Sequence, residues 1–422
     1  MTDVADDKLI TTSRSVSVLA ASGWAALSAF AVTIIASRVL TTADYTQFLV
    51  YWSVLFGCFQ VLGGLQNEAT RAVGAAEFEH VDSSTRSTGR VFAMTLVLAG
   101  GVALAVLLLG PVWATRLGVG VLVLVVSAVV VLSYGCHLTL VGVLAGRHQW
   151  GTMAALSATE ATVRIVFLVA VALLLPGLVP MELAAALAAL TWLVFAAVVP
   201  RARGAVLAHG DVGLKRLVAN GGWAMLAAVA TAVLVNGFPA IVRVALGGDT
   251  PDLASILLGI QITRAPLMMP LVAFQGVVIA GFVTQRTGRL RALLKPLLAV
   301  IGIGAGLAVL VGLIGPWLMR LLFGPQYLLS SLVLGRLAFA AVSLALLTVC
   351  GAATIAIGEH RGYLAGWIVG AAATVILLFV LPQAGVERVI AAVQIGPLFG
   401  VVVHLLAIRA RDRAARAETV AQ

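Results

Sequence analysis

The sequence predicts an all-α integral membrane protein with about twelve transmembrane helices and both termini in the cytoplasm. Three observations support this fold class. The 422 residues are 61% hydrophobic and 10% charged, with a mean hydropathy of +1.10, which leaves too few polar side chains to cover a soluble globule. The apolar runs are about 20 residues or longer, as helices that cross a bilayer require. The basic residues are also divided unequally between alternate loops.

Twelve apolar segments are predicted to span the bilayer. They cover residues 16–37, 45–67, 91–110, 119–141, 153–175, 182–200, 217–246, 253–283, 296–314, 327–357, 364–382 and 389–408, to within several residues. The first segment is expected to be a retained span, because no convincing small-residue cleavage site follows it. Cys58, Cys136 and Cys350 lie inside apolar segments, so they predict neither a disulfide framework nor a metal site.

The charge of the loops predicts the orientation. With a cytoplasmic amino terminus, nineteen Lys and Arg residues lie on the cytoplasmic side, and Arg38, Arg116, Arg320 and Arg388 lie on the opposite side or its edge. This positive-inside asymmetry requires an even number of spans. The net charge of +10 follows from these loops, so we expect the cell (cytoplasmic) membrane as the location and no nucleic-acid partner.

Two similar segments indicate an internal repeat. Residues 23–27 read GWAAL and open the first span, and residues 222–226 read GWAML and open the seventh. Five further spans follow each copy, as a parallel six-plus-six repeat requires, although a shared interfacial Trp explains the match equally well. We predict an N-lobe at 1–208 and a C-lobe at 209–422, joined by the basic stretch 201–216. The longest predicted loop is 68–90.

Four arginines remain inside predicted spans, and they are Arg164, Arg243, Arg264 and Arg336. A guanidinium at mid-membrane costs about 2.5–3.5 kcal/mol on insertion scales, so these residues should face protein or a water-filled cavity. A guanidinium can also bind a phosphate through two parallel hydrogen bonds. The alternative is that Arg243 extends to the outer interface and that the others pair with backbone carbonyls or helix ends.

The segment 257–282 carries several polar side chains and prolines inside a predicted span. Gln261 and Arg264 are three residues apart and Gln275 is eleven beyond Arg264, so the three share one helix face. Pro266 and Pro270 free backbone carbonyls that lipid cannot satisfy. This helix is therefore predicted to form one wall of a cationic cavity.

Glu160 is the carboxylate that lies clearly inside a predicted span, four residues before Arg164. The simpler interpretation is an intrahelical ion pair, and the alternative is that Glu160 takes up a proton during a transport cycle. His137 and His404 lack a metal-ligand partner at helical spacing, so we assign them no role. The spacing of Gly362, Gly366 and Gly370 suits close helix contact. Neither a metal site, nor catalytic residues, nor a cofactor is predicted, and we expect a transporter.

Three segments resemble the Wzx-type polysaccharide flippases. Residues 36–45, ASRVLTTADY, resemble the R-x-L-x-x-x-[DE]-Y signature after the first helix of that family, with Thr46 where Gly is common. Residues 318–327, LMRLLFGPQY, resemble its L-L-F-G-x-x-Y entry to the tenth helix, and 263–266, TRAP, is similar to a segment on its eighth helix.

The resemblance implies the fold of the MOP exporter superfamily, in which two six-helix lobes form a V around a central cavity, as in MATE transporters. It implies alternating access that moves an undecaprenyl-diphosphate-linked oligosaccharide from the inner to the outer leaflet, driven by an H⁺ or Na⁺ gradient or by the membrane potential. The substrate-binding candidates, carried over by residue type and approximate place, are Arg38, Arg164, Arg243, Arg264 and Arg336, to which the shared face adds Gln261.

Other interpretations of the sequence remain open. A multidrug extruder of the same superfamily would need intramembrane carboxylates for cationic drugs, and Glu160 is already next to Arg164. A non-transporting scaffold could bind other polysaccharide-assembly membrane proteins through the basic loops. A peptidoglycan-precursor flippase would be expected to carry more than twelve spans.

Overall fold

The computed structural model describes residues 12–78, 89–248, 250, 252–264, 267 and 289–421, and these are helical nearly throughout. Helices α1 to α6 are Thr12–Val39, Thr42–Phe78, Val91–Leu108, Gly110–Leu117, Val121–Gly146 and Trp150–Leu174. Helices α7 to α11 are Leu178–Leu187, Thr191–Val198, Pro200–Val206, Leu214–Val235 and Phe238–Leu246, with a 3-10 turn at Ala188–Leu190. Helix α12 is Leu253–Arg264. Helices α13 to α16 are Arg289–Leu322, Ser331–Ala356, His360–Val380 and Gly385–Ala421.

Among the described residues, eleven helical segments are long and apolar enough to cross a membrane, and Leu178–Val198 counts as one of them. The prediction of an all-helical, multi-pass membrane protein is therefore confirmed. The count of twelve and the sidedness of the termini stay predictions. The predicted eighth span, 253–283, is described only for its first half, as helix α12.

The predicted seventh span, 217–246, is two helices rather than one. Helix α10 ends at Val235, and α11 begins at Phe238 with Pro239 in its first turn. Proline has no amide hydrogen to continue the ladder of α10, and its ring favours the start of a new helix. The last carbonyl groups of α10 are consequently available to other partners.

The chain divides into two compact units, Met1–Ala232 and Val233–Gln422. In unit 1, α2 and α3 pack against α5, and α1 packs against α6. The α2–α5 contact depends on Gly142, where a Cβ atom would collide with the carbonyl oxygen of Gln66. Small residues allow helix backbones to approach closely in membranes. The division into lobes at residue 208 stays a prediction.

In unit 2, α13 packs against α14, and both α14 and α15 pack against α16. Helices α15 and α16 meet at glycines. A Cβ on Gly400 would collide with the carbonyl oxygen of Gly366, and a Cβ on Gly366 would collide with the ring of His404. The glycine spacing on α15 thus serves close helix contact, as its pattern predicts.

Helix α2 continues beyond the predicted second span into residues expected to form a loop. Polar contacts hold this extension. Arg71 pairs with Glu68 at 2.7 Å and with Asp211 at 2.8 Å, and Asn220 Nδ2 donates to Glu68 Oε1 at 3.1 Å. The basic stretch 201–216, which lies within unit 1, is therefore tied to α2 through Asp211.

Candidate functional site

Glu160 and Arg164 form a buried ion pair on α6. The Arg164 Nη2 atom donates to Glu160 Oε1, and the two side chains are only 4% and 6% exposed, respectively. The spacing of four residues places both on one helix face. The structure shows the predicted intrahelical pair, whereas a coupling role for Glu160 stays a prediction.

Aromatic rings of α2 flank the Arg164 guanidinium. Its Cζ atom lies 5.0 Å from the centre of the Phe56 ring and 5.8 Å from that of Trp52. These two rings are four residues apart on α2 and stack with their centres 4.0 Å apart. A ring face attracts a guanidinium by about 0.5–2 kcal/mol, most where water is excluded. The rings therefore help to position the Arg164 guanidinium inside the unit.

Two residues of α5 complete this group. Tyr134 stacks on Phe59 with centres 3.8 Å apart and on His137 at 5.2 Å, and it interacts electrostatically with both Glu160 and Arg164. His137, to which the sequence assigns no role, is 3% exposed and lies close enough to Arg164 for an electrostatic interaction. The group, called the Glu160–Arg164 cluster below, consists of Glu160, Arg164, Trp52, Phe56, Tyr134 and His137.

Glu182 is a further buried carboxylate, which sequence reasoning misses. The predicted sixth span begins at residue 182, so this carboxylate is expected at a membrane edge, but α7 begins one turn earlier, at Leu178. Glu182 is 2% exposed, and its Oε1 atom has no hydrogen-bond partner among the described residues. Buried carboxylates of this kind are costly unless neutralised or paired. The apolar run continues on both sides of Glu182, and this is the sequence feature that indicates a carboxylate inside the span.

Arg264 is buried at the end of α12 and is 9% exposed. Its Nη1 atom donates to the carbonyl oxygen of Leu234 at 2.8 Å. Leu234 lies in the last turn of α10, where carbonyl groups lack an intrahelical partner. The Arg264 Cζ atom also lies 4.8 Å from the centre of the Phe238 ring. The arrangement matches the alternative in which an arginine pairs with a helix end, and neither partner carries a formal charge.

Arg336 is held in a different way. Its Nη1 and Nη2 atoms bind the two carboxylate oxygens of Glu387, each at 2.8 Å. This pair joins α14 to the first turn of α16, and its side chains are 45% and 44% exposed. The sequence pattern does not reveal this partner, because the two residues are 51 positions apart.

The remaining predicted site residues are less buried. Arg38 is exposed in the last turn of α1, and Arg243 is half-buried in the last turn of α11. Gln261 is half-buried on α12, one turn before Arg264. Pro266, Pro270 and Gln275, which the sequence places on the same wall, lie outside the described residues. The role of each predicted residue in substrate binding stays a prediction.

The described parts of the chain contain no group of three or more His, Cys, Asp or Glu side chains placed to hold a metal ion. Cys58, Cys136 and Cys350 are free thiols, and the last two are buried. Chemically, the charged groups inside the two units can bind anions, exchange a proton or position polar parts of a substrate.

Comparison of sequences gives a clear relative. The uncharacterized protein Rv1510 of Mycobacterium tuberculosis is 35% identical over 403 residues, covering 93% of this chain and 90% of the relative. The chain belongs to the same family as Rv1510. No family model matches the sequence.

Solved structures identify the fold of this family. A multidrug resistance MATE family transporter of the MOP superfamily, in an inward-facing conformation, matches with a TM-score of 0.72 at 15% identity, covering 93% of this chain and 96% of that chain. A MOP superfamily transporter from Pyrococcus furiosus, described as having a binding pocket of reverse polarity that suggests a different function, matches with a TM-score of 0.66 at 14% identity and 95% coverage of both chains. The chain thus has the MATE-like fold of these MOP superfamily transporters.

Proposed function

We propose that this protein is a membrane transporter that moves an undecaprenyl-diphosphate-linked oligosaccharide from the inner to the outer leaflet by alternating access. The observation that carries the proposal is the state of Arg264. Its guanidinium is buried, and its contacts among the described residues are an uncharged carbonyl group and the face of a phenyl ring. A buried cation whose partners among the described residues are neutral favours an incoming anion.

The chemistry of Arg264 fits a diphosphate better than a cation. Its Nη1 atom donates to Leu234, and a guanidinium has five N–H donors in a planar fork that matches the oxygens of a phosphate. The MATE-like fold supports a transport function. The Pyrococcus furiosus transporter of similar fold is described as having a binding pocket of reverse polarity, so the fold does not by itself decide the charge of the substrate.

In this proposal, the predicted basic residues contact the diphosphate and its sugars. They are Arg38, Arg164, Arg243, Arg264 and Arg336, with Gln261 on the Arg264 helix. Aromatic rings flank the guanidinium groups of Arg164 and Arg264 and help to position them. Glu160 would couple the cycle to an H⁺ or Na⁺ gradient or to the membrane potential. The bilayer and other polysaccharide-assembly membrane proteins are the expected partners.

A multidrug extruder is the second candidate, and Glu182 favours it. Cationic drugs require intramembrane carboxylates, and Glu182 is buried with one oxygen unpartnered among the described residues. Glu160, by contrast, is already paired with Arg164. The two candidates therefore depend on different residues, Arg264 for the lipid diphosphate and Glu182 for a cation.

Depletion of the protein in its host tests the proposal. The expected result is accumulation of a lipid-linked oligosaccharide on the cytoplasmic leaflet and loss of a surface glycan. Complementation with Arg264→Gln should fail although the folded protein reaches the membrane at the wild-type level, and Arg320→Gln, an exposed arginine of α13, should complement fully. If no intermediate accumulates and no glycan is lost, the flippase function is wrong.

A further inference from the structure

Unit 1 carries an apolar groove between α6 and the α7–α8 segment. The groove has a volume of about 620 Å³ and is lined by Val163 and Phe167 on α6 and by Val194 and Val198 on α8. Phe167, Val194 and Val198 are 39%, 67% and 71% exposed, so the groove opens to the outside of the unit. A volume within the range of about 300–1,000 Å³ is typical of small-molecule sites.

The dimensions of the groove match one leaflet of a bilayer. Its lining on the α7–α8 segment runs from Leu187 to Val199, which is a rise of about 18 Å at about 1.5 Å per residue. Half of the hydrocarbon core of a bilayer is about 15 Å thick. A groove of this length inside a membrane span fits an extended acyl chain.

Arginines lie at one end of the groove. Helix α9 follows Val199 directly and buries Ala202 and Ala205 while leaving Arg201 and Arg203 exposed. The Arg203 Nη2 atom donates to the carbonyl oxygen of Ala197, which places that guanidinium at the last turn of α8.

A third arginine fixes the position of α9. Arg147 Nη1 donates to the carbonyl oxygen of Gly204 at 3.3 Å, and its Nε atom pairs with Glu77 at 3.1 Å. The basic end of the groove is thus attached to α5 and to the extension of α2. Its charges are held in place rather than left on a loose loop.

We propose that this groove is a binding site for an anionic phospholipid of the bilayer, whose acyl chain lies between α6 and α8 and whose phosphate is bound by Arg201 and Arg203. The site lies on the surface of unit 1, and the phospholipid that it binds is not the transported substrate. The apolar lining selects a hydrocarbon chain, and the two guanidinium groups at its end select a negatively charged head group over a zwitterionic one. The positive-inside pattern predicts that this lipid belongs to the cytoplasmic leaflet.

Native mass spectrometry of the detergent-solubilised full-length protein tests the site, with titration by dioleoyl phosphatidylglycerol or dioleoyl phosphatidylcholine. The wild type should bind phosphatidylglycerol more tightly than phosphatidylcholine. Arg201→Gln alone leaves the Arg203 contact with α8 intact and should weaken phosphatidylglycerol binding about fivefold. The double variant Arg201→Gln with Arg203→Gln should weaken it about 30-fold. These factors follow because one basic residue near an anionic lipid contributes about 1 kcal/mol. Binding of phosphatidylcholine should not change.

Matched variants separate the groove from general charge and hydrophobicity. Val194→Trp fills the groove and should weaken both lipids, whereas Val309→Trp, at an equally exposed apolar position on α13, should not. Removing the exposed Arg361 and Arg409 together should leave phosphatidylglycerol binding unchanged. Equal affinity for the two lipids in the wild type, or equal losses in the control variants, would overturn the proposal. Displacement of phosphatidylglycerol by undecaprenyl phosphate would also overturn it, because the groove would then bind the chain of the substrate.

Discussion

Replacing Arg164 with methionine should destabilise unit 1 by about 3–5 kcal/mol, because the change leaves the carboxylate of Glu160 buried without its partner. The magnitude depends on burial. The side chains of this pair are 4% and 6% exposed, and two aromatic rings lie against the guanidinium. For a unit of this size, a loss of that magnitude lowers the melting temperature by roughly 6–20 °C.

The free thiols of the protein provide the assay. Cys136 is buried and Cys58 is half-buried in unit 1, and Cys350 is buried in unit 2. A thiol-reactive fluorescent dye should therefore report the unfolding of the protein in detergent. The double variant Glu160→Gln with Arg164→Met should recover most of the lost stability, since no ionised side chain of the pair is then left without its partner.

The Arg336–Glu387 pair is a matched control, because it joins the same residue types with two contacts but is 45% and 44% exposed. Exposed ion pairs contribute about 0.2–1 kcal/mol, so Arg336→Met should lower the melting temperature by no more than roughly 4 °C. If Arg164→Met and Arg336→Met lower it equally, burial of the Glu160–Arg164 cluster is not what makes its ion pair important.

Three further variants test the packing of unit 2 and the second candidate function. Gly400→Ala should destabilise the protein by about 1–3 kcal/mol, because its Cβ would collide with the carbonyl oxygen of Gly366. Gly302→Ala, with no atom within 4 Å of the new Cβ, should be neutral or stabilise the protein by up to about 1 kcal/mol. A lower melting temperature for Gly302→Ala than for Gly400→Ala would contradict this account of the α15–α16 contact. Glu182→Gln removes a buried carboxylate and should leave glycan complementation and the melting temperature near wild-type values. A loss of complementation by this variant with normal folding would show that Glu182 takes part in transport of the glycan.

The fold class could be predicted from the sequence because hydropathy depends on composition within each helix. The apolar runs reveal the helices one at a time, and the membrane requires each to satisfy its own backbone. The break between α10 and α11 was missed, since the apolar run continues across Asn236 and Gly237. Pro239 was the signal that could have placed it.

The site could be predicted only in part, because partners come from packing between helices. The Glu160–Arg164 pair can be predicted because the two residues are four positions apart on one helix. The contacts of Arg264 with Leu234 and of Arg336 with Glu387 join residues 30 and 51 positions apart. No pattern along a single helix specifies such partners.

The α2 extension shows the same limit. Residues 68–78 read as a polar loop, but the ion pairs of Arg71 and the hydrogen bond from Asn220 stabilise a helix there. Aromatic residues of α2 were also visible in the sequence, yet their contact with Arg164 depends on how α2, α5 and α6 pack.

The most direct test of the central claim is transport by the purified protein in proteoliposomes. A fluorescent undecaprenyl-diphosphate-linked oligosaccharide in one leaflet should appear in the other leaflet when wild-type protein is present, and Arg264→Gln should abolish this movement. Ethidium, a cationic dye, should not be transported. The contradicting result is transport of ethidium without movement of the lipid-linked oligosaccharide. If Glu182→Gln abolishes this ethidium transport and Arg264→Gln retains it, the protein is a multidrug extruder.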